Sequence, residues 1–144
     1  QGGFLSIAVA ALDKRITFLA PVHDAMCDYE AEIHGVAGGW PHYFYTEDKA
    51  QGAAWKEQKP TDLEKARLVG ARYYDGVNFA SRITVPGWYS FGYNDEVVPP
   101  TSSYGLYNSV KAPKTLSLYQ MTGHYWYQEQ WDEWQAWIIQ QLKK

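Results

Sequence analysis

Two side chains in the second half of the sequence have the types and spacing to move a proton. Asp95 stands in Gly92-Tyr93-Asn94-Asp95 and His124 in Thr122-Gly123-His124, 29 residues further on. A carboxylate held against an imidazole is the general-base part of nucleophilic catalysis. The ring takes a proton from a hydroxyl, and the carboxylate orients the ring and stabilises its charged form. Each residue alone is ordinary, since a loop Asp is usually a cap and a loop His usually a surface group. The first residues complete the pattern. Gln1-Gly2-Gly3 runs into an apolar stretch, residues 4–12, of helix-forming composition. In a G-x-S-x-G elbow the nucleophilic serine is followed by one residue, a glycine and then a helix. Gln1-Gly2 matches the two positions after such a serine, and the order serine, acid, histidine is preserved. The reading therefore expects a serine immediately before Gln1, outside these 144 residues. It also expects the backbone N–H of Gln1 to be one oxyanion-hole donor.

The elements that must position these groups are set by periodicity. Residues 4–12 read as a buried helix. Residues 16–20 (Ile-Thr-Phe-Leu-Ala) form a short β-branched and apolar run stopped by Pro21, which suits a strand buried on both faces. The chain just past such a strand lies at the carboxyl edge of the sheet, where ligands bind in α/β folds. His23 and Asp24 are accordingly expected to line a cleft. Regular periodicity fades over residues 33–60, which read as an excursion covering the cleft and bring Trp40 to its wall. Thr61 and Glu64 have the spacing of a capping box opening a helix, and a short helix is expected over 75–82. A strand over 85–91, a helix over 101–110 stopped by Pro113, and a strand over 115–119 come next. A last helix spans 128–142, on which Trp131, Trp134, Ile138 and Leu142 share one face, expected to pack on the sheet. This alternation predicts an α/β fold, a parallel sheet with helices on both faces. The strand at 16–20 needs a neighbour on its other edge.

Composition removes several function classes. The balance of 13 basic against 16 acidic residues gives a net charge of −3. With no block of like charge, a nucleic-acid surface is not expected. The longest apolar runs are too short to span a membrane. A single cysteine, Cys27, excludes an internal disulfide and a cysteine-based zinc site. His23, Asp24, His34 and His42 lie close in sequence, but their spacing matches no recognised metal site, so neither metal nor cofactor is expected. The 7 Trp, 12 Tyr and 5 Phe are read chiefly as core and loop packing. The compartment is not legible.

Four stretches carry a family resemblance: QGGFLSIAVAALDKRI at 1–16, YYDGVNFASRI at 73–83, GYNDEVVPPTSSYGLYN at 92–108 and APKTLSLYQMTGH at 112–124. With these the chain resembles the C-terminal half of the acetyl xylan esterase / cephalosporin-C deacetylase family of α/β-hydrolases. The resemblance implies that Asp95 and His124 are the triad acid and base. It implies a serine before Gln1, and a second oxyanion donor from an N-terminal half of the same enzyme. It further implies hydrolysis of acetyl esters on small carbohydrates of the xylo-oligosaccharide type through an acyl-serine, with no cofactor, and a homo-oligomer as one expectation. Residues 20–29 (APVHDAMCDY), 35–44 (GVAGGWPHYF) and Tyr125-Trp126-Tyr127 depart from the better-known members. These segments would shape the acyl and sugar pockets, with Tyr125 and Trp126 as lining. The alternatives are a serine peptidase or aromatic-acyl esterase of the same fold, and a non-catalytic carbohydrate-binding or assembly piece.

Overall fold

A six-residue run without charge sets the centre of the structure. The computed structural model describes residues 1–32, 40 and 61–144, and within it β1 (Gly87–Gly92) is buried along its whole length. Its side chains alternate between two faces. Tyr89 packs with Ile7, Ala80 and Leu106, and Phe91 meets Tyr104 edge-on at 5.0 Å. Ser90 points the other way, where its hydroxyl accepts a hydrogen bond from the Gln130 amide at 2.8 Å. A strand buried on both faces needs helices on both sides, and the chain supplies them. α1 (Gly2–Leu12), α3 (Gly76–Ala80) and α4 (Pro100–Ser109) cover the Tyr89 face, and α5 (Gln128–Leu142) covers the Ser90 face. Between α1 and α3 in the chain, α2 (Asp62–Ala71) packs through Leu68 and Ala71 on Tyr29, in a smaller cluster beside the main core.

β2 (Lys114–Tyr119) pairs with β1 in parallel, Gly87 opposite Lys114 through Gly92 opposite Tyr119. The third strand differs from its expectation. Residues 16–20 do not form a regular strand, and the pairing lies further on, as parallel bridges Leu19–Gly87 and Val22–Ser90. Leu19 N–H donates to Pro86 O, Trp88 N–H to Leu19 O, Ser90 N–H to Pro21 O and His23 N–H to Ser90 O. Pro21 has no N–H, so the ladder loses a rung at its middle and reads as bridges rather than as a strand. The other edge of this segment opens on an apolar groove of about 450 Å³ between α1 and α5, lined by Leu5, Val9, Phe18, Trp134 and Ile138.

That groove explains two further corrections. α1 is buried only through Gly3, Phe4 and Ile7, while Leu5, Val9 and Leu12 are exposed. On α5 the expected stripe does not seat on the sheet as a block. Trp131 and Leu142 are exposed, and Gln130 is the helix's fully buried side chain. Gln130 bonds Ser90, whose own hydroxyl donates to Ser117 O at 2.6 Å. Trp134 adds a bond from its indole N–H to Ala20 O at 3.0 Å. A polar chain thus ties α5 to both strands and to the 19–22 segment. The excursion expected over 33–60 lies outside the described residues, apart from Trp40.

Local chemistry accounts for the helix ends. The capping box forms as expected, with Glu64 N–H donating to Thr61 Oγ1 and Thr61 N–H to Glu64 Oε2. Asp75 does more than cap α3. Its carboxylate accepts from Val77 N–H at 2.9 Å, Asp28 N–H at 3.1 Å and Tyr29 N–H at 3.2 Å. The chain it grips, leaving the 19–23 ladder, holds His23, Met26 and Asp28 at positive φ, a region that non-glycine residues seldom occupy. Asp75→Ala would remove all three of these hydrogen bonds and is expected to lower unfolding stability by about 2–4 kcal/mol. Chemical denaturation of the complete protein measures it, and an unchanged midpoint would contradict the clamp.

Candidate active site

Chain leaving the carboxyl edge of a parallel sheet is where side chains can converge. Three segments do so here: residues 22–25, the β1–α4 loop bearing Asp95, and the β2–α5 loop bearing His124. The two loops are stitched together. Tyr93 N–H donates to Tyr119 O and Asn94 N–H to Thr122 O, both at 3.0 Å, and the Asn94 amide donates to Gln120 O at 2.9 Å. Gly92 permits this contact. A Cβ there would stand 2.5 Å from Thr122 O and 2.7 Å from Thr122 Oγ1, and would strike Gly123 O as well.

The Asp95 carboxylate is fully buried and its acceptor capacity is filled. Oδ1 accepts from Val97 N–H at 2.9 Å and Val98 N–H at 2.8 Å. Oδ2 lies 2.8 Å from His124 Nδ1 and 2.9 Å from His23 Nδ1. A carboxylate offers about four lone-pair sites, and each has a donor. Burial by itself would raise the acid's pKa. The bonds from His23, Val98 N–H and His124, with the charge of His124, outweigh it and hold the group down at about 2. Asp95 is therefore an anion at neutral pH and can only accept, so both histidines donate from Nδ1. His124 is left with Nε2, the nitrogen able to take a proton, on the far side of a ring that is 42 % exposed.

The neighbouring carboxyl behaves oppositely. Asp24 is buried, and among the described residues neither carboxyl oxygen has a partner beyond its own backbone. Burial, reinforced by the charge on Asp95 and only partly offset by a backbone hydrogen bond, pushes its pKa up to about 8. Asp24 stays protonated at neutral pH, so one carboxylate charge serves two imidazoles whose ring centroids are 4.8 Å apart.

The expected residues fall into two groups. Gln1, His23, His124 and Trp126 share a cavity of about 400 Å³, together with the first turn of α1 and Trp134. Asp24, Trp40 and Tyr125 do not line it. Asp24 lies beneath the first turn of α1, where a Cβ on Gly3 would come within 2.9 Å of its Cα. Trp40 offers its carbonyl to the Tyr29 hydroxyl at 3.4 Å. Tyr125 stands exposed, its ring edge-on to Tyr127. Sequence reasoning placed His23 in the cavity wall but missed its bond to Asp95, 72 residues away, for which no local pattern exists. It also missed Asp75, Gly92 and Gln130. The only signal for Gly92 is a glycine ending an apolar strand.

Among the described residues, His23, Asp95 and His124 are also a group able to hold a metal. Their separations of 2.8 and 2.9 Å are those of hydrogen bonds, whereas two ligands of a tetrahedral zinc stand roughly 3.3 Å apart. As they stand, the three side chains are spaced to share protons. His34 and His42 lie outside the described residues.

The chain is similar to known proteins over nearly its whole length. The family model described as acetyl xylan esterase matches residues 1–141. An acetyl esterase of Xylanibacter ruminicola is 34% identical over 99% of this chain, which spans 30% of that protein. Among solved structures, the acetyl xylan esterase from Paenibacillus sp. R4 is 26% identical with a TM-score of 0.76, covering 96% of this chain and 42% of that one. Acetyl xylan esterase 1 from Thermoanaerobacterium sp. matches in fold, with a TM-score of 0.77 at 23% identity, over 97% of this chain and 43% of its own. The chain thus spans less than half the length of these relatives, and its architecture is that of the α/β-hydrolase esterases.

Asp24 generates a prediction whose sign is fixed by linkage. Unfolded, Asp24 ionises in the ordinary carboxylate range; folded, it keeps its proton to about pH 8. Between these values the folded form binds the extra proton, so this residue's contribution to stability falls as pH rises and levels off above about 8. Asp24→Asn removes that loss. The difference in Tm between variant and parent should grow in the variant's favour from pH 5 to pH 8.5. A difference independent of pH would mean that Asp24 is already ionised in the folded protein.

Proposed function

The chain belongs to the acetyl xylan esterase family, and from that premise we propose that it is the C-terminal half of an acetyl esterase domain that works through an acyl-serine. The observation that carries the reading is His124, fixed by a fully bonded Asp95 in a cavity bordered by the first turn of α1. The nucleophile is a serine immediately before Gln1, at the head of that helix. The strand leading to it occupies the apolar groove between α1 and α5, whose lining is suited to a strand buried on both faces.

In this mechanism the serine hydroxyl attacks the acetyl carbonyl while His124 Nε2 takes its proton. Negative charge gathers on the carbonyl oxygen, and the Gln1 N–H donates to it together with a second donor from the N-terminal half. His124, now an imidazolium held by Asp95, returns the proton to the departing sugar oxygen. Water then repeats the sequence on the acetyl-serine, releasing acetate and restoring the serine. Asp95 remains ionised throughout, in keeping with its depressed pKa. No group in this cycle requires a cofactor. The substrate class is a small acetylated carbohydrate, acetylated xylo-oligosaccharides in particular. A cavity of about 400 Å³ accommodates an acetyl group and part of a sugar ring.

In the complete protein, acetyl esters should turn over far faster than peptide amides of similar size. His124→Ala should lower acetyl ester kcat by roughly three orders of magnitude or more. Comparable amide and ester rates would favour a peptidase. An unchanged kcat in the His124 variant would remove the residue from the reaction.

A further inference from the structure

His23 lies on the same oxygen of Asp95 as His124, and nothing in a three-residue catalytic scheme calls for it. We propose that His23 is a positioning residue, a buried hydrogen-bond donor that locks the Asp95 carboxylate so that a single lone pair faces His124. The inference rests on the esterase reading above and adds a fourth participant to it.

The geometry distinguishes the two histidines. Both place Nδ1 at nearly the same distance from Oδ2, 2.9 and 2.8 Å, yet the His23 side chain is 7% exposed and that of His124 42%. His23 Nε2 is buried and has no partner among the described residues. A proton there would be a buried, unsatisfied donor, which is costly in any tautomer and more so in the charged ring. The ring therefore donates from Nδ1, and its buried Nε2 cannot trade places with that of His124 as the base. Its backbone holds it there: His23 N–H donates to Ser90 O on β1 at 3.0 Å, and the residue sits at φ 49°. Without His23, Oδ2 would have one partner, on a half-exposed loop, and an unfilled lone pair in a buried site.

The titratable groups facing His23 are few. Among the described residues they are Asp95 and His124 from the two loops and Asp24 from its own segment. Asp24 is protonated at neutral pH, so the donor from His23 bears on one charge. Each donor to Oδ2 withdraws electron density that would otherwise stabilise the His124 imidazolium. Removing His23 concentrates that density on His124, which holds its proton more tightly and is a poorer base at low pH.

The test uses the complete protein and a small acetyl ester, with kcat, KM and the pH profile of kcat/KM as readouts. His23→Leu and His23→Ala remove the donor. His23→Asn places an amide N–H near the position of Nδ1 and is the side chain best suited to positive φ. We expect the Leu and Ala variants to lose roughly 10- to 100-fold in kcat with little change in KM. The acid limb of their profiles should move up by about half a pH unit or more. His23→Asn should recover most of the rate and the parental limb. Parental kcat and pH profile in either donor-free variant would overturn the proposal. So would an Asn variant no better than Leu and Ala. If His124→Ala also leaves turnover intact, the esterase reading itself fails; if it abolishes turnover while the donor-free variants behave as the parent, only the role of His23 falls.

Discussion

A buried carboxylate keeps its charge only if its lone pairs are satisfied, and this requirement at Asp95 ties the described structure together. The four donors come from three separate stretches of chain: Val97 and Val98 from its own loop, His124 from the loop after β2, and His23 from the ladder on the opposite side of β1. Any displacement of β2 or of residues 19–23 relative to β1 breaks a bond to the same carboxylate. The register of the parallel pairing and the geometry of the site are therefore one constraint seen at two scales. The same bonds hold Asp95 at a pKa of about 2 despite its buried carboxylate, so it keeps its charge at neutral pH.

Meeting that constraint loads strain onto the backbone nearby, and other residues offset it. His23, Met26 and Asp28 all adopt positive φ, which concentrates unfavourable conformations within six residues. Asp75 holds the far end of this segment through Asp28 and Tyr29 N–H, and Gly76 N–H bonds Met26 O at 2.8 Å. Gly3 and Gly92 remove side chains where backbones must nearly touch, α1 over residues 22–24 and the Asp95 loop against the His124 loop. Burial of Asp24 adds a carboxyl only partly compensated by its own backbone to the same place. That a segment carries this much cost at the carboxyl edge of the sheet is in keeping with strain gathering at functional sites.

Much of this was legible in the sequence, and the legible parts share a cause. Asp95 and His124 each come closely after a strand, so alternation and turn residues placed both at one edge. The Thr61–Glu64 box and the helix at Gln128–Leu142 are local patterns and form where expected. What escaped was non-local or depended on an edge. The His23–Asp95 bond joins residues 72 apart. Residues 16–20 look like a strand, but pairing falls on 19–23 because His23 N–H and the carbonyls of Leu19 and Pro21 reach β1 there, with Pro21 interrupting the ladder. The α5 stripe was read from the period of its apolar residues, whereas the helix is fastened by the polar Gln130 and the indole N–H of Trp134. Trp134 and Ile138 of that stripe face the groove beside α1 instead.

The central claim is that Asp95, as a fully bonded anion, readies His124 to activate a serine. Asp95→Asn tests it directly, because an amide cannot accept all four donors and forces His124 out of its Nδ1–H tautomer. The measurement is the rate at which a fluorophosphonate labels the complete protein, compared between parent and Asp95→Asn under identical conditions. The account predicts rapid labelling of one serine in the parent and labelling slower by roughly 10³-fold or more in the variant. Equal labelling rates, or a parent that takes no label, would contradict it.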